Sequence, residues 1–198
     1  MDNSKINNIK KELGDLSAAL GSYKTESWNQ FPAIDLYMDQ VVTYLERLLN
    51  IFGDTSDSGK TITSSMVNNY VKEGYLKRPV NKKYDRVHLI SLYIMSMLKP
   101  VLPIPLIARS LDNFSSEDEY HNFYSELTSL QDQAFNSVSQ KLLNLIKNID
   151  EDDYENSLRL FALQLSSEAN AHRIAAEKIM SLLNQNEVPN KNDKAKNK

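Results

Sequence analysis

Apolar residues recur every three or four positions along most of this chain, the period of helices that bury one face. Ile6, Ile9, Leu13, Leu16 and Leu20 mark the first such stripe, over residues 5–20, and Gly21 is placed to end it. Trp28, Phe31 and Pro32 lead into a second helix over 33–52, whose broad stripe of Ile34, Leu36, Tyr37, Val41, Leu45, Leu49 and Phe52 belongs in the core. The run GDTSDSGKTITSS, 53–65, is rich in Gly, Ser and Asp and reads as a loop closing on a helix cap at Thr63 or Ser64. A short third helix follows over about 64–73 and stops at Gly74. YLKRPVNKKY, 75–84, contains Pro79 and only Leu76 and Val80 as β-favouring apolar positions, so it reads as a tight turn or a small two-stranded wing.

Beyond Asp85 the pattern becomes nearly continuous. Val87, Leu89, Ile90, Leu92, Tyr93, Ile94, Met97 and Leu98 precede Pro100, which predicts a helix buried all round. Lys99 and three prolines interrupt it well short of the ~20 apolar residues of a membrane span. A shorter helix fits Ile104 to Leu111. Ser115 or Ser116 opens a long helix through Ile149, with Glu119 three residues after Ser116 in the form of a capping box. The acidic cluster Asp150 to Asp153 separates it from another, running from Tyr154 to Leu183, so two long antiparallel helices are expected. The almost wholly polar tail after Pro189 is expected to be disordered.

Composition narrows the class. Only 5 glycines and 6 prolines in 198 residues make turns scarce and exclude an all-β fold. The absence of cysteine removes disulfides, thiolate nucleophiles and cysteine-based zinc sites, and 3 scattered histidines leave little for a histidine centre. The N-terminal MDNSKINNIKKELG lacks the continuous apolar core of a secretory signal, so a cytoplasmic location is expected.

The net charge of −3 conceals a marked asymmetry. Residues 60–90 carry seven basic side chains against Glu73 and Asp85, a local +5, whereas 111–187 sum to −9. A basic island between acidic flanks can form the electrostatic footprint of nucleic-acid binding, because each Lys or Arg that neutralises a phosphate releases counterions, and an ordinary solvated surface patch has the same composition. Other chemistry fares worse. Gly53, Gly59, Lys60 and Thr61 imitate a phosphate-binding loop, but five residues separate the glycines where four are needed, and no strand precedes them. His88, His121 and His172 lack partners at metal-ligand spacing apart from Glu117 and His121, a pair typical of a helix surface. The carboxylates of 111–153 lack an apolar setting. An aromatic set, Tyr120, Phe123, Tyr124, Phe135 and Phe161, could line a small-molecule pocket but has the spacing of core. Neither an enzyme, a metal nor a cofactor is expected.

What remains is TITSSMVNNYVKEGYLKRPVNKKYDRVHL. It lays out a helix exposing Ser64, Ser65, Asn68, Asn69 and Lys72, a glycine stop, and a turn carrying Lys77, Arg78, Lys82 and Lys83. An α-helix fits the major groove of B-DNA, Asn pairs bidentately with adenine, and cations on an adjoining turn grip phosphates. The run resembles the MerR-type winged helix-turn-helix, whose second helix ends in Tyr-x-x-x-Gly before a short wing and a Tyr that opens the next helix. Tyr70, Gly74 and Tyr84 occupy these places, with Leu98 and Ile107 in the helices that follow. More closely, FPAIDLYMDQVVTYL (31–45) followed by SSMVNNYVKEGYLKRPVNKKYDRVHL (64–89) resembles an uncharacterised bacterial family of unknown function, found mainly in Firmicutes and related to MerR-type DNA-binding domains. Asn68 and Asn69 stand where MerR-type recognition helices commonly carry Arg and an aromatic residue, and Lys82 where the wing commonly carries Arg, which alone offers a planar fork.

Over about 28–112 the resemblance implies a MerR-like winged helix-turn-helix; with the helices read from periodicity, the expectation is a mainly α protein with an N-terminal helix in 1–27, that domain over 28–112, a long antiparallel helical hairpin over 113–187 for dimerisation or effector sensing, and a tail, 188–198. The resemblance implies a DNA-binding transcriptional regulator that places Ser64, Ser65, Asn68, Asn69 and Lys72 in the major groove and Lys77, Arg78, Lys82, Lys83 and Tyr84 against the backbone. The expected partners are double-stranded DNA, a second copy in a homodimer and an unidentified small-molecule effector, with no membrane. A different reading makes the acidic C-terminal helices the working surface of a non-enzymatic protein-interaction or adaptor module, since net −9 repels DNA and attracts basic partners.

Overall fold

In a computed structural model that describes residues 3–50, 61–112 and 114–185, the chain is mainly helical. The elements are α1 (Asn3–Ser22), β1 (Leu36–Tyr37), α2 (Met38–Leu48), α3 (Ser64–Lys72), β2 (Lys83–Tyr84), α4 (Arg86–Leu98), α5 (Ile104–Leu111), α6 (Glu117–Asn148) and α7 (Tyr154–Gln185), with a 3-10 turn at Trp28–Gln30. The phosphate-loop lookalike, most of the 53–65 loop and the tail 188–198 lie outside the described residues.

α4 is the centre of the core. Every residue from His88 to Met97 is buried, as the continuous apolar run requires. Around it pack Val41, Leu45 and Leu49 from α2 and its end, Val67 and Tyr70 from α3, Ile107 from α5, and Tyr120 and Tyr124 from α6. Phe31 sets its ring edge-on to Tyr93 and Tyr124, and Trp28 meets Tyr120. Asp85 caps α4 by accepting from the His88 backbone N–H at 2.9 Å. The His88 ring turns back so that Nδ1 lies 2.7 Å from the same carboxylate and Nε2 lies 3.2 Å from the Lys77 carbonyl oxygen. His88 is thus a core residue that staples the 75–84 segment to α4.

The predicted helix over 33–52 starts later than its apolar run. Leu36 and Tyr37 form β1, antiparallel to β2 with Leu36 opposite Tyr84 and Tyr37 opposite Lys83, and α2 begins at Met38. The helix start is marked by the Tyr37 backbone N–H donating to the Gln40 side chain at 2.9 Å. Ile34 and Tyr37, placed in the core by periodicity, are instead exposed.

Gly21 does not end the first helix either, since α1 continues through Ser22. It serves a close approach: a Cβ at Gly21 would sit 2.8 Å from the Ser139 Oγ on α6. At the same level Ser17 Oγ donates to the Ser139 carbonyl and Ser139 Oγ donates to the Ser17 carbonyl. Lys10 pairs with Glu151 at 2.5 Å and Lys5 with Glu155 at 3.0 Å, while Thr25 donates to Asp132 at 2.8 Å. α1 therefore runs antiparallel along α6. α7 returns alongside, held by the Lys141–Glu168 ion pair and by Ser110 Oγ donating to Met180 Sδ.

Tyr120 and Tyr124 are core residues, as their spacing implies: Tyr120 shares a hydrogen bond with Ser91, and Tyr124 donates to the Glu26 carbonyl. Among the described residues no helix is long and apolar enough to cross a membrane, and no cluster of acidic and histidine side chains has the geometry of a metal site.

Candidate nucleic-acid interface

α3 is nine residues long and would be marginal in isolation, so its ends and its packing hold it. Thr63 is the N-cap, with backbone angles of −138° and 157° and a side chain that accepts from the Met66 N–H at 3.2 Å. Val67 and Tyr70 are buried and Met66 and Val71 half-buried, anchoring one side. At the other end Gly74 takes φ +78°, the left-handed conformation that glycine adopts without strain, and the N–H groups of Tyr75 and Leu76 both return to the Tyr70 carbonyl. The opposite side of α3 presents Ser64, Ser65, Asn68, Asn69 and Lys72, all exposed. Their spacing of one, three, one and three places them on a single face.

The 75–84 segment turns at Asn81 and Lys82, both left-handed with φ 51° and 63°, and the Lys83 N–H donates to the Val80 carbonyl at 2.9 Å. Positive φ at both central residues is the signature of the two-residue turn that matches strand twist. The second arm does not pair along the first beyond the single Val80–Lys83 bridge; its partner is β1, from before α2. Directly opposed residues share a face of a sheet, so Tyr37, Lys83 and Val80 form one row. Tyr37 and Val80 are exposed, and the Lys83 ammonium lies 5.3 Å from the centre of the Tyr37 ring.

The same alternation corrects one expectation. Tyr84 follows Lys83, points to the other side and is only 3% exposed, so it is a core residue and offers no surface. Lys83 is half-buried, whereas Lys77, Arg78 and Lys82 are exposed. None of Lys72, Lys77, Arg78 or Lys82 forms an ion pair within 4.0 Å among the described residues. Lys77 borders a cleft of about 170 Å³ with Tyr75, Leu76, His88 and Asp112. Burial raises the Asp112 carboxyl above its ordinary value, and Lys77 nearby acts in the other direction.

Two further charges of the basic island are engaged within the protein. Asp85 is engaged with His88, whose hydrogen bond holds its carboxyl below the ordinary value. Arg86 lies over the Trp28 ring, 5.8 Å from its centre. Lys99, just beyond the island, donates to the Thr61 carbonyl at 2.6 Å, and burial lowers its pKa. Among the described residues of the island, the exposed cations are those of α3 and the turn. Tyr37 was missed in the sequence because it lies in an apolar run, although Asp39 and Gln40 just after it are residues that favour a helix start.

A model of a family described as a domain of unknown function, DUF1836, matches residues 26–138. That span takes in everything from the 3-10 turn to Val138 of α6 and leaves out α1 and α7. No curated protein and no solved structure matches the chain.

Proposed function

The chain belongs to the DUF1836 family, and with no activity attached to that domain we propose a function from the surface it exposes: α2, α3 and the 75–84 turn act as a MerR-related winged helix-turn-helix that binds duplex DNA, in a cytoplasmic bacterial transcriptional regulator. One observation carries the reading. Five polar side chains, Ser64, Ser65, Asn68, Asn69 and Lys72, stand exposed on one face of a helix anchored by Val67 and Tyr70 and followed directly by a cationic turn.

The division of labour follows from chemistry. Asn68 and Asn69 have the donor and acceptor pair that matches the edge of adenine, and Ser64 and Ser65 can contact any base or phosphate. Lys72, Lys77, Arg78 and Lys82, all exposed, would contact the backbone, which supplies affinity and no sequence information. Tyr37 and Val80 flank Lys83 and extend the wing with apolar surface that can pack against sugars. A homodimer would present two such surfaces to two half-sites.

Titration of a genomic fragment pool at several salt concentrations tests the reading. Lys82→Ala should weaken binding to every fragment and flatten the salt dependence by about one unit, whereas Asn68→Ala should relax selection among fragments with the slope unchanged. Failure of the wild-type protein to retain any fragment at low salt would refute it.

A further inference from the structure

Twelve large apolar side chains are exposed among the described residues, and six of them, Leu160, Leu163, Ile174, Ile179, Leu182 and Leu183, belong to α7. No side chain described on α7 is buried. The half-buried ones, such as Leu158, Phe161, Leu165, Ala176 and Met180, form the row that faces α6 and α5. At 3.6 residues per turn the opposite row is Asn156, Leu160, Leu163, Ser167, Ala171, Ile174 and Lys178, and every member is exposed.

This row reads the same in both directions. Its steps from Asn156 are four, three, four, four, three and four, symmetric about Ser167. Two copies of α7 laid antiparallel about a two-fold axis at Ser167 therefore set Leu160 opposite Ile174, Leu163 opposite Ala171 and Asn156 opposite Lys178. The small Ser167 meets itself at the crossing, where backbones must approach closely. In this register Arg159 of one copy falls two residues, about 3 Å of helical rise, from Glu177 of the other. Parallel pairing would instead set Arg159, Glu177 and Lys178 each against its own kind, which is repulsive.

We propose that the protein forms a two-fold dimer through the outward face of α7, antiparallel about Ser167, with a second copy of the chain as the partner. The contact spans 156–178, about 33 Å of helix. It is isologous, so each apolar residue on the row is covered by another from the same row, while Ile179, Leu182 and Leu183 lie beyond it. The long helix α6 does not offer an equivalent face along its seam with α1, because the Ser17–Ser139 contact closes it. The inference goes beyond the DNA-binding reading, which a monomer could satisfy, and uses no residue of α3 or the turn.

The chain has no cysteine, so single cysteines report the pairing directly. Under mild oxidation Ser167→Cys should link two chains covalently. Asn156→Cys and Lys178→Cys should each fail to self-link, and the double variant Asn156→Cys/Lys178→Cys should link. Sedimentation should find the wild-type protein dimeric and Leu163→Asp/Ile174→Asp monomeric, with the helical circular dichroism of both unchanged. Self-linking of Asn156→Cys would overturn the antiparallel register. A wild-type monomer at the highest soluble concentration, or a dimer that survives in the folded double aspartate variant, would overturn the interface. None of these measurements involves DNA, so their failure is distinguishable from failure of the DNA reading.

Discussion

Helices α4 and α7 use similar apolar side chains in opposite ways. Leu92 of α4 is 0% exposed and Leu163 of α7 is 63% exposed, although both are leucines within helices rich in apolar residues. α4 has neighbours on every side, from α2, α3, α5 and the aromatic rings of the 28–31 turn and α6. α7 has them on one side only. The contrast teaches that an apolar residue on a helix has two distinct fates, internal packing or an outward face that only a partner would cover.

The largest expected effect breaks the comparison if it fails. Leu92→Ala should cost about 2 to 5 kcal/mol of unfolding free energy, the sum of lost burial and the cavity left behind. Leu163→Ala should cost under about 0.5 kcal/mol at concentrations where the chain is monomeric. Urea denaturation of both variants checks this, and equal costs would mean that α7 is packed internally after all.

The α1–α6 seam lies between these extremes. Gly21→Ala should destabilise by roughly 1 to 3 kcal/mol, because the added methyl meets Ser139 Oγ at 2.8 Å. The cost should shrink in a Ser139→Ala background, where that oxygen is absent; a double-mutant cycle measures the difference.

The smallest effect sharpens the account of how α4 begins. The Asp85 carboxyl is held below its ordinary 3.8, chiefly by its hydrogen bond with His88. A carboxylate with a depressed folded-state pKa contributes stability that is fully present above 3.8 and is lost as the pH falls through the lower folded value. Denaturation midpoints followed from neutral to acid pH should therefore fall more gently below pH ~4 in Asp85→Asn than in the wild type. Parallel curves would remove this hydrogen bond from the account.

Much of this architecture was legible in the sequence, and the exceptions have physical causes. The ends of α4 and α6 could be read because Asp85 and Ser116 are capping residues and Pro100 cannot continue a helix. β1 could not, since two residues are too short to display a period of two and Leu36 and Tyr37 run into the apolar stripe of α2. Its partner lies 46 residues later, a pairing no local pattern announces. Gly21 was read as a helix stop because close approach between helices leaves no mark on either one alone. In the candidate interface, the outer face of α3 followed from the positions of Val67 and Tyr70. The two sides of β2 required its register, which is why Tyr84 was placed on the surface and Tyr37 in the core.

The central claim is that the outer face of α3 and the basic turn sit against a duplex. Fluorescence anisotropy of labelled genomic fragments at low salt, with wild-type protein and with Lys72→Glu/Lys82→Glu, tests it most directly. The account predicts saturable binding by the wild type and its loss in the charge-reversed variant, with helical content and α7 cross-linking unchanged. Equal binding by both proteins, or binding by neither, would contradict it.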